Sequence, residues 1–217
     1  MSIRIVFIHG FGYSPTMFAP LAQRIEVDHQ YDIDFGFFGP SRSEVPICSM
    51  PTVVIGHSLG VLRYLATTPF PTDGLVSLAG FSRFCTTDDF PHGVTPILVK
   101  RMQKKLARNA RALLTEFYTL CGDNITLLSD DSVPNVAALS AALDDLLHLD
   151  ARSTPLPQTL ALAGRADAVT PLAMQEAIFR NRPDVTFHVH DTAPHTLPLT
   201  HPDWCAHHIN AFIRRFM

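Results

Sequence analysis

A serine lies between two glycines in the segment GHSLG, which occupies residues 56–60 and follows the β-branched run at residues 53–55. A strand before this motif and a helix after it are typical of the tight turn that exposes a serine hydroxyl above a sheet. Glycines on both sides let the backbone make such a turn without Cβ clashes. We therefore predict that Ser58 is the nucleophile of covalent catalysis. The alternative, a serine that caps the following helix, does not explain the paired glycines.

A serine nucleophile needs a base, and the base needs a carboxylate to orient it. We predict His195 as the base, because the segment DTAPHTLP places it in the loop after the last predicted strand. We predict Asp167 as the acid, because GRAD follows the fifth predicted strand. The chain order serine, acid, histidine is the one that this strand, turn and helix arrangement uses. An ordinary turn or helix-capping role for Asp167 is the alternative.

Other titratable residues remain as alternatives. Histidines beside the nucleophile, on a strand or near the final helix could compete as the base: His57, His188, His190, His201, His207 and His208. Carboxylates near the last strand or in the central region could compete as the acid: Asp191, Asp144, Asp145 and Asp150. In the segment HVHD two histidines would share one strand face, so a metal site is a further, weaker hypothesis there.

The segment HGFG at residues 9–12 follows the first predicted strand, so its loop reaches the same sheet edge as the serine. We predict that the backbone N–H groups of Phe11 and Leu59 donate to a developing oxyanion. Glycines beside Phe11 would let the backbone approach the serine, and His9 is expected to brace the loop by hydrogen bonds. A plain glycine-rich connector is the alternative.

These residues need a scaffold that brings distant loops together. Apolar runs predict strands at the following residues: 3–8, 31–38, 53–55, 75–78, 159–163 and 185–189. Helical spacing predicts helices at residues 17–25, 59–66, 172–179 and 204–216. The alternation predicts an α/β fold whose parallel sheet carries the site at the carboxyl ends of its strands. Residues 81–153 read as mostly helical, so we expect a core of residues 1–80 and 154–217 with this insertion.

Composition narrows the class of protein. A chain of 217 residues that is 47% hydrophobic can bury one substantial core. A net charge of -3 gives no overall attraction to nucleic acid or to a membrane surface. The apolar run at the N-terminus is too short for a signal peptide or a membrane helix, so we expect a cytoplasmic protein. The four cysteines are far apart, so we expect reduced, mostly buried thiols and neither a disulfide framework nor a zinc site. A serine, acid and histidine mechanism needs no cofactor, so we expect neither a metal nor an organic cofactor.

The combination HGFG, GHSLG, GRAD and APH, in this order, resembles the α/β-hydrolase superfamily over nearly the whole chain. Residues 81–120 and 139–156 resemble the two ends of the helical cap of pimeloyl-acyl carrier protein methyl ester esterases, the carboxylesterases of biotin synthesis. The resemblance implies a triad of Ser58, Asp167 and His195, with the Phe11 and Leu59 amides as oxyanion donors. It also implies a methyl ester on acyl carrier protein as substrate. The rivals are a general short-chain esterase, a thioesterase, a carbon–carbon bond hydrolase and a non-catalytic ligand-binding receptor.

The sequence also departs from that family. The first predicted strand begins at residue 3, so we expect the family's first antiparallel hairpin to be missing and the sheet to be a reduced, mostly parallel one of about six strands. His57 stands before the serine, where some relatives carry an aromatic residue. We expect a monomer.

The insertion contains a basic segment. At about 100° per residue, six cations fall within an arc of roughly 140° on one predicted helix: Lys100, Arg101, Lys104, Lys105, Arg108 and Arg111. The opposite face carries apolar residues that could cover the site: Met102, Leu106, Ala110, Leu113 and Phe117. We predict that Phe117 binds substrate by lining an apolar acyl channel with Leu113, and ordinary core packing is the alternative. The basic face predicts an acidic partner, and the resemblance implies acyl carrier protein. A solvated face and a membrane-surface helix are the alternatives.

Overall fold

Six parallel strands form the centre of the fold. The computed structural model describes residues 2–27, 29–67, 69–123 and 133–217. The strands are β1 (Arg4–Ile8), β2 (His29–Ile33), β3 (Thr52–His57), β4 (Gly74–Leu78), β5 (Gln158–Gly164) and β6 (Val185–His190). Their order in the sheet is β2-β1-β3-β4-β5-β6, and each neighbouring pair is parallel. The predicted α/β fold with a sheet of six strands is confirmed.

The central strands are buried on both faces. Every residue of β1, β3 and β4 is buried, which is typical of parallel strands that helices cover from both sides. Five of the six strand predictions agree with the structure to within two residues at either end. The prediction for residues 31–38 was wrong in its bounds, because β2 ends at Ile33. There the backbone turns, Asp34 and Arg42 form an antiparallel bridge, and Gly36 adopts a φ of 72°.

Eight α-helices are present in the residues that the structure describes. They are α1 (Ala19–Ala22), α2 (Leu59–Thr67), α3 (Pro96–Arg108), α4 (Ala110–Leu120), α5 (Val136–His148), α6 (Leu172–Phe179), α7 (Leu197–Thr200) and α8 (Pro202–Ile213). Two short 3-10 turns, Pro15–Phe18 and Arg214–Phe216, adjoin α1 and α8. In the order of the chain, helices α3, α4 and α5 come after β4 and before β5.

The helix predicted at residues 17–25 is not a single helix. The 3-10 turn Pro15–Phe18 and the short helix α1 take its place.

The basic segment does not form the single helix that was predicted. Asn109 has an extended backbone, with φ -159° and ψ 94°, and this ends α3. Its side chain then accepts a hydrogen bond from the N–H of Ala112 and so caps α4. Arg111 consequently lies on a different helix from the cations of α3. The helical spacing continues across the break in the sequence, so periodicity alone did not reveal it.

The two glycines of GHSLG are required by close packing between β3, α2 and β1. A Cβ atom on Gly56 would lie 2.8 Å from the Val61 side chain. A Cβ atom on Gly60 would lie only 2.3 Å from the carbonyl oxygen of Ile8, which is backbone and cannot move aside as a side chain can. Helix α2 can therefore begin immediately above the end of β1 only because residue 60 has no side chain.

The four cysteines are free thiols, and three of them, Cys85, Cys121 and Cys205, are buried. Burial raises the pKa of Cys205 to about 12, so this thiol stays protonated at neutral pH. Within the described ranges, no helix has both the length and the apolar character that crossing a membrane would require.

Substituting Gly60 with alanine should destabilise the protein strongly. We expect Gly60→Ala to lower the free energy of unfolding by at least about 2 kcal/mol, because the methyl group meets the Ile8 carbonyl. Gly39→Ala is the matched control, since an added Cβ there has no atom within 4 Å. Urea unfolding followed by circular dichroism measures both. Equal stability of the two variants would contradict the close packing described for α2.

Candidate active site

Ser58 occupies a strained turn between β3 and α2. Its φ is 52°, in the left-handed region that non-glycine residues rarely adopt. The Ser58 N–H donates to the carbonyl of Leu78 at 3.0 Å, and its carbonyl accepts from the Val61 N–H at 3.0 Å. These bonds hold the turn from both sides, although the conformation costs free energy. The hydroxyl is thereby turned out of the sheet toward the loops that follow the neighbouring strands.

Three side chains from three loops form one hydrogen-bonded row. Ser58 Oγ lies 3.0 Å from Nε2 of His195, and Nδ1 of His195 lies 2.8 Å from Oδ2 of Asp167. Ser58 follows β3, Asp167 follows β5 and His195 follows β6. All three residues are buried, and His195 is completely so. The serine, the histidine and the carboxylate that the sequence singles out therefore lie together, in an order that can relay a proton.

Asp167 is held as a carboxylate by several donors. Oδ1 accepts from the N–H groups of Val169 and Thr170, each at 2.8 Å, and Oδ2 accepts from the Thr170 hydroxyl as well as from His195. Burial by itself raises the pKa of Asp167, but the charge and hydrogen bond of His195 and the Thr170 hydrogen bonds outweigh it. The net result is a lowered pKa. An ionised Asp167 keeps the His195 proton on Nδ1 and leaves Nε2 free to accept.

Thr170 is a site residue that the sequence analysis missed. It is completely buried, and its hydroxyl also lies 3.3 Å from the carbonyl of Ala79. The Gln175 side-chain amide donates to the Thr170 carbonyl at 3.0 Å and supports it from α6. The spacing of Asp167 and Thr170, three residues apart in a loop, is typical of a side chain that bonds the backbone ahead of it. That spacing was the available signal.

The HGFG loop approaches the serine closely. A Cβ atom on Gly10 would lie 3.1 Å from the Ser58 Cβ, so the Gly10–Phe11 peptide lies against the turn. Within the part of the chain that the structure describes, the N–H groups of Phe11 and Leu59 donate to no protein acceptor. Both residues are buried. Two unused amide donors beside a serine hydroxyl are what an oxyanion would need.

His9 supports this loop rather than the row of three side chains. Its Nε2 accepts a hydrogen bond from the Phe35 N–H at 3.0 Å, so its proton lies on Nδ1, which donates to the Gly10 carbonyl at 2.9 Å. Nε2 also lies 3.3 Å from Oδ1 of Asp34. The imidazole therefore ties the HGFG loop to the segment that follows β2.

An apolar cavity of about 270 Å³ opens above Ser58. Helices α3, α4 and α5 contribute much of its wall. Its lining includes Phe11, Val99, Met102, Phe117 and Leu146. The rings of Phe11 and Phe117 pack edge to face with centroids 5.2 Å apart, which joins α4 to the HGFG loop. The cavity can therefore accept an apolar chain, with the reacting carbonyl near Ser58.

The six basic residues that were predicted to share one helix fall into three groups in the structure. On α3, four cations are exposed: Lys100, Arg101, Lys104 and Arg108. Lys105 forms an ion pair with Glu116 of α4, so its charge is partly neutralised. Arg111 is exposed on α4. The structure thus brings together a smaller basic surface on α3 than the sequence predicts.

The alternative acids are engaged elsewhere. Asp145 pairs with Arg63 at 2.7 Å, and Asp150 pairs with Arg83 at 2.8 Å. Asp191 pairs with Arg165 at 3.1 Å. The fourth, Asp144, accepts a hydrogen bond from Gln103. None of these partners belongs to the row that contains Ser58.

The alternative histidines lie mostly at the far edge of the sheet. His188 stacks on His208 with ring centroids 4.2 Å apart, and His190 contacts His201 and Trp204. Across residues 2–27, 29–67, 69–123 and 133–217, no group of three or more His, Cys, Asp or Glu residues is arranged to hold a metal ion.

His57 is the exception among these histidines, because it is completely buried beside Ser58. Burial, and then the neighbouring charge of His195, lower the pKa of His57 to about 3. The imidazole is therefore neutral throughout the physiological pH range.

Known proteins resemble this chain over most of its length. The profile of a family described as "Alpha/beta hydrolase family" matches residues 5–208. A pimeloyl-[acyl-carrier protein] methyl ester esterase of Xylella fastidiosa (strain 9a5c) is 28% identical over 199 residues, which cover 78% of this chain and 78% of that protein. A protein with the same name from Stenotrophomonas maltophilia (strain K279a) is 30% identical over 205 residues, covering 80% and 78% of the two chains.

The fold also matches solved structures. An esterase from Exiguobacterium antarcticum superposes with a TM-score of 0.82 at 16% identity, covering 98% of this chain and 92% of that one.

The neutral His57 should make the folded protein sensitive to acid. An unfolded histidine binds a proton below about pH 6.5, whereas the folded state resists protonation of His57 until about pH 3. Protonation of His57 in the unfolded state therefore does not lower the free energy of unfolding above pH 6.5, and lowers it progressively as the pH falls toward 3. We expect wild type to lose roughly 1.4 kcal/mol more than His57→Phe for each pH unit in this window.

Urea unfolding at several pH values between 7 and 4.5 measures this difference. The control is Ile47→Ala, a substitution at a fully exposed residue that has no titratable group, which should follow the wild-type pH dependence. If His57→Phe and wild type lose stability in parallel as the pH falls, the assignment of a neutral buried imidazole is wrong.

Proposed function

The chain belongs to the alpha/beta hydrolase family and acts on ester bonds, and we propose that Ser58, His195 and Asp167 are its catalytic triad. The observation that supports this most directly is the buried row itself, with 3.0 Å between Ser58 Oγ and His195 Nε2 and 2.8 Å between His195 Nδ1 and Asp167 Oδ2. Nucleophile, base and orienting acid are thus already within hydrogen-bond reach.

In the proposed mechanism, His195 Nε2 takes the Ser58 hydroxyl proton as Oγ attacks the ester carbonyl carbon. The negative charge develops on the carbonyl oxygen, and the Phe11 and Leu59 N–H groups donate to it. His195 then gives its proton to the departing alkoxide as the bond from the carbonyl carbon to that oxygen breaks. The alkoxide leaves as an alcohol, and the acyl group stays on Ser58 Oγ as an acyl-serine. A water deprotonated by His195 attacks the acyl-serine carbonyl, and His195 returns that proton to Ser58 Oγ as the acyl bond breaks and the acid is released. Asp167 stabilises the His195 cation throughout and does not itself take the proton.

We infer that residues 81–153 act as a cap on a core of residues 1–80 and 154–217. The contribution of α3, α4 and α5 to the cavity wall supports this division. Side chains from all three helices, such as Met102, Phe117 and Leu146, would exclude water from the acyl chain. Excluding water from the cavity lowers the local dielectric constant and so strengthens the hydrogen bonds of the proposed triad.

The proposed substrate is the methyl ester of a pimeloyl chain carried by acyl carrier protein. The names of the relatives from Xylella fastidiosa and Stenotrophomonas maltophilia support it. The apolar cavity suits the methylene chain. The exposed α3 cations, with Lys104 and Arg108 one turn apart, suit an acidic carrier, and we propose that they bind it with Lys100, Arg101, Lys105 and Arg111.

A general short-chain carboxylesterase or thioesterase is the second candidate. The ion pair between Lys105 and Glu116 favours it, because that pair weakens the basic surface that a carrier would need. A small free ester would need only the apolar cavity and the triad. The two candidates share the chemistry and differ in whether a carrier protein binds.

Ser58→Ala should abolish the chemistry. We expect a fluorophosphonate probe to label wild type and the control Ser153→Ala, whose serine is exposed in the loop after α5, but not Ser58→Ala. Turnover of p-nitrophenyl butyrate should fall by about a thousandfold or more in Ser58→Ala, because the other groups have no nucleophile to activate. Equal labelling of Ser58→Ala would exclude Ser58 as the nucleophile.

Reversing the charge on α3 should separate the two candidate substrates. Lys104 and Arg108 are exposed, and neither forms an ion pair with a residue in the described ranges. We expect the double variant Lys104→Glu and Arg108→Glu to raise KM for methyl pimeloyl-acyl carrier protein by about tenfold or more. Its kcat/KM for p-nitrophenyl butyrate should stay within about twofold of wild type, because no cavity group changes.

The matched control reverses two cations on other elements, Arg182 after α6 and Arg215 near the C-terminus. This control should leave both KM values unchanged. If the α3 variant hydrolyses the carrier-bound ester as well as the control does, carrier binding by α3 is excluded and the second candidate is favoured.

A further inference from the structure

His57 is a buried titratable residue that the proposed mechanism does not use. Its Nε2 lies 3.0 Å from the backbone carbonyl oxygen of His195. Because a carbonyl oxygen only accepts hydrogen bonds, Nε2 of His57 must carry the proton. The two imidazole rings also pack against each other, with centroids 4.8 Å apart and an angle of 55° between their planes. His57 therefore contacts both the backbone and the ring of His195.

The other nitrogen of His57 defines its protonation state. Nδ1 is buried and has no hydrogen-bond partner in the part of the chain that is described. Gly10 packs directly against it, since a Cβ atom on Gly10 would lie 2.6 Å from Nδ1. A proton on Nδ1 would add a buried charge without an acceptor, so the ring is a neutral Nε2–H tautomer. A buried acceptor without a partner is costly, and its retention calls for an explanation.

The position of His57 in the chain supplies that explanation. It is the last residue of β3 and immediately precedes Ser58, so the residue that bonds the His195 backbone is the chain neighbour of the residue that carries the hydroxyl. The loop that contains His195 has a second anchor, because the Thr196 hydroxyl donates to the carbonyl of Cys121 at 3.2 Å. Of these two bonds, the one from His57 ties the loop directly to the strand that ends just before Ser58.

We propose that His57 is a positioning residue for ester hydrolysis, whose Nε2–H holds the His195 backbone so that the His195 ring stays within reach of Ser58 Oγ. The neutral ring also avoids placing a second positive charge beside His195 when His195 carries the proton. This inference rests on the proposed function, since it assumes that His195 is the base. Displacement of a base by a fraction of an ångström lowers the rate of reaction without weakening substrate binding.

Two substitutions each remove one of the two contacts that His57 makes with His195, the hydrogen bond to the backbone and the contact between the rings. His57→Phe keeps a ring of similar shape and removes the donor, whereas His57→Gln keeps an N–H donor and removes the ring. We expect His57→Phe to lower kcat for p-nitrophenyl butyrate by about tenfold or more, with KM within about twofold of wild type. The rate of labelling by a fluorophosphonate should fall by the same factor. His57→Gln should recover most of both rates.

The control for simple loss of stability is Ile209→Ala, which removes a completely buried side chain from α8. This variant should unfold at a lower temperature and keep kcat. If His57→Phe changes kcat no more than Ile209→Ala does, or raises KM alone, the positioning role is overturned. A wild type that neither reacts with the probe nor hydrolyses the ester would instead overturn the proposed function and this inference with it.

A measurement on wild type is independent of how the variants fold. In ¹⁵N NMR spectra of the histidine side chains, His57 should carry its proton on Nε2 and remain neutral at pH 5. A proton on Nδ1, or a charged His57 at that pH, would overturn the proposal.

Discussion

The close contact between the start of α2 and the end of β1 is the constraint on which the site depends. Gly60 lies so near the Ile8 carbonyl that no larger residue fits, and this lets α2 begin directly after the turn. This tight turn holds Ser58 in a left-handed backbone conformation with a φ of 52°. The loop after β1 also lies against the serine, since a Cβ atom on Gly10 would lie 3.1 Å from the Ser58 Cβ. This closeness supports the proposal that the Phe11 and Leu59 N–H groups both serve as oxyanion donors.

Burial explains how a site with so few charges can remain well ordered. In a medium of low polarity each hydrogen bond is stronger, but each unsatisfied group is also more costly. The Asp167 carboxylate accepts bonds from two backbone N–H groups, the Thr170 hydroxyl and His195, so its charge is well compensated. His57 is also buried, but burial lowers its pKa, so its imidazole stays neutral instead of carrying a compensated charge. One charged carboxylate therefore contacts the imidazole that we propose as the base, and the neighbouring imidazole of His57 adds no charge.

The sequence predicted the strands and the loops well, and the reason is physical. Parallel strands such as β3 are buried on both faces, so they appear as continuous apolar runs, and the residues after them must gather at one sheet edge. The break at Asn109 could not be predicted in this way, because charged and apolar residues keep helical spacing across it. The contact of His57 with His195 joins residues 138 positions apart, and no local pattern encodes it. Thr170 was missed although its spacing from Asp167 was visible.

In the mechanism we propose, Ser58 attacks a carbonyl carbon, and the Phe11 and Leu59 N–H groups donate to the carbonyl oxygen. A crystal structure of the protein after reaction with a fluorophosphonate measures this directly, because the phosphonyl group resembles the tetrahedral intermediate. We expect phosphorus bonded to Ser58 Oγ and one phosphonyl oxygen about 3 Å from both the Phe11 and the Leu59 backbone nitrogens. An adduct on another residue, or a phosphonyl oxygen that points away from both amides, would contradict it.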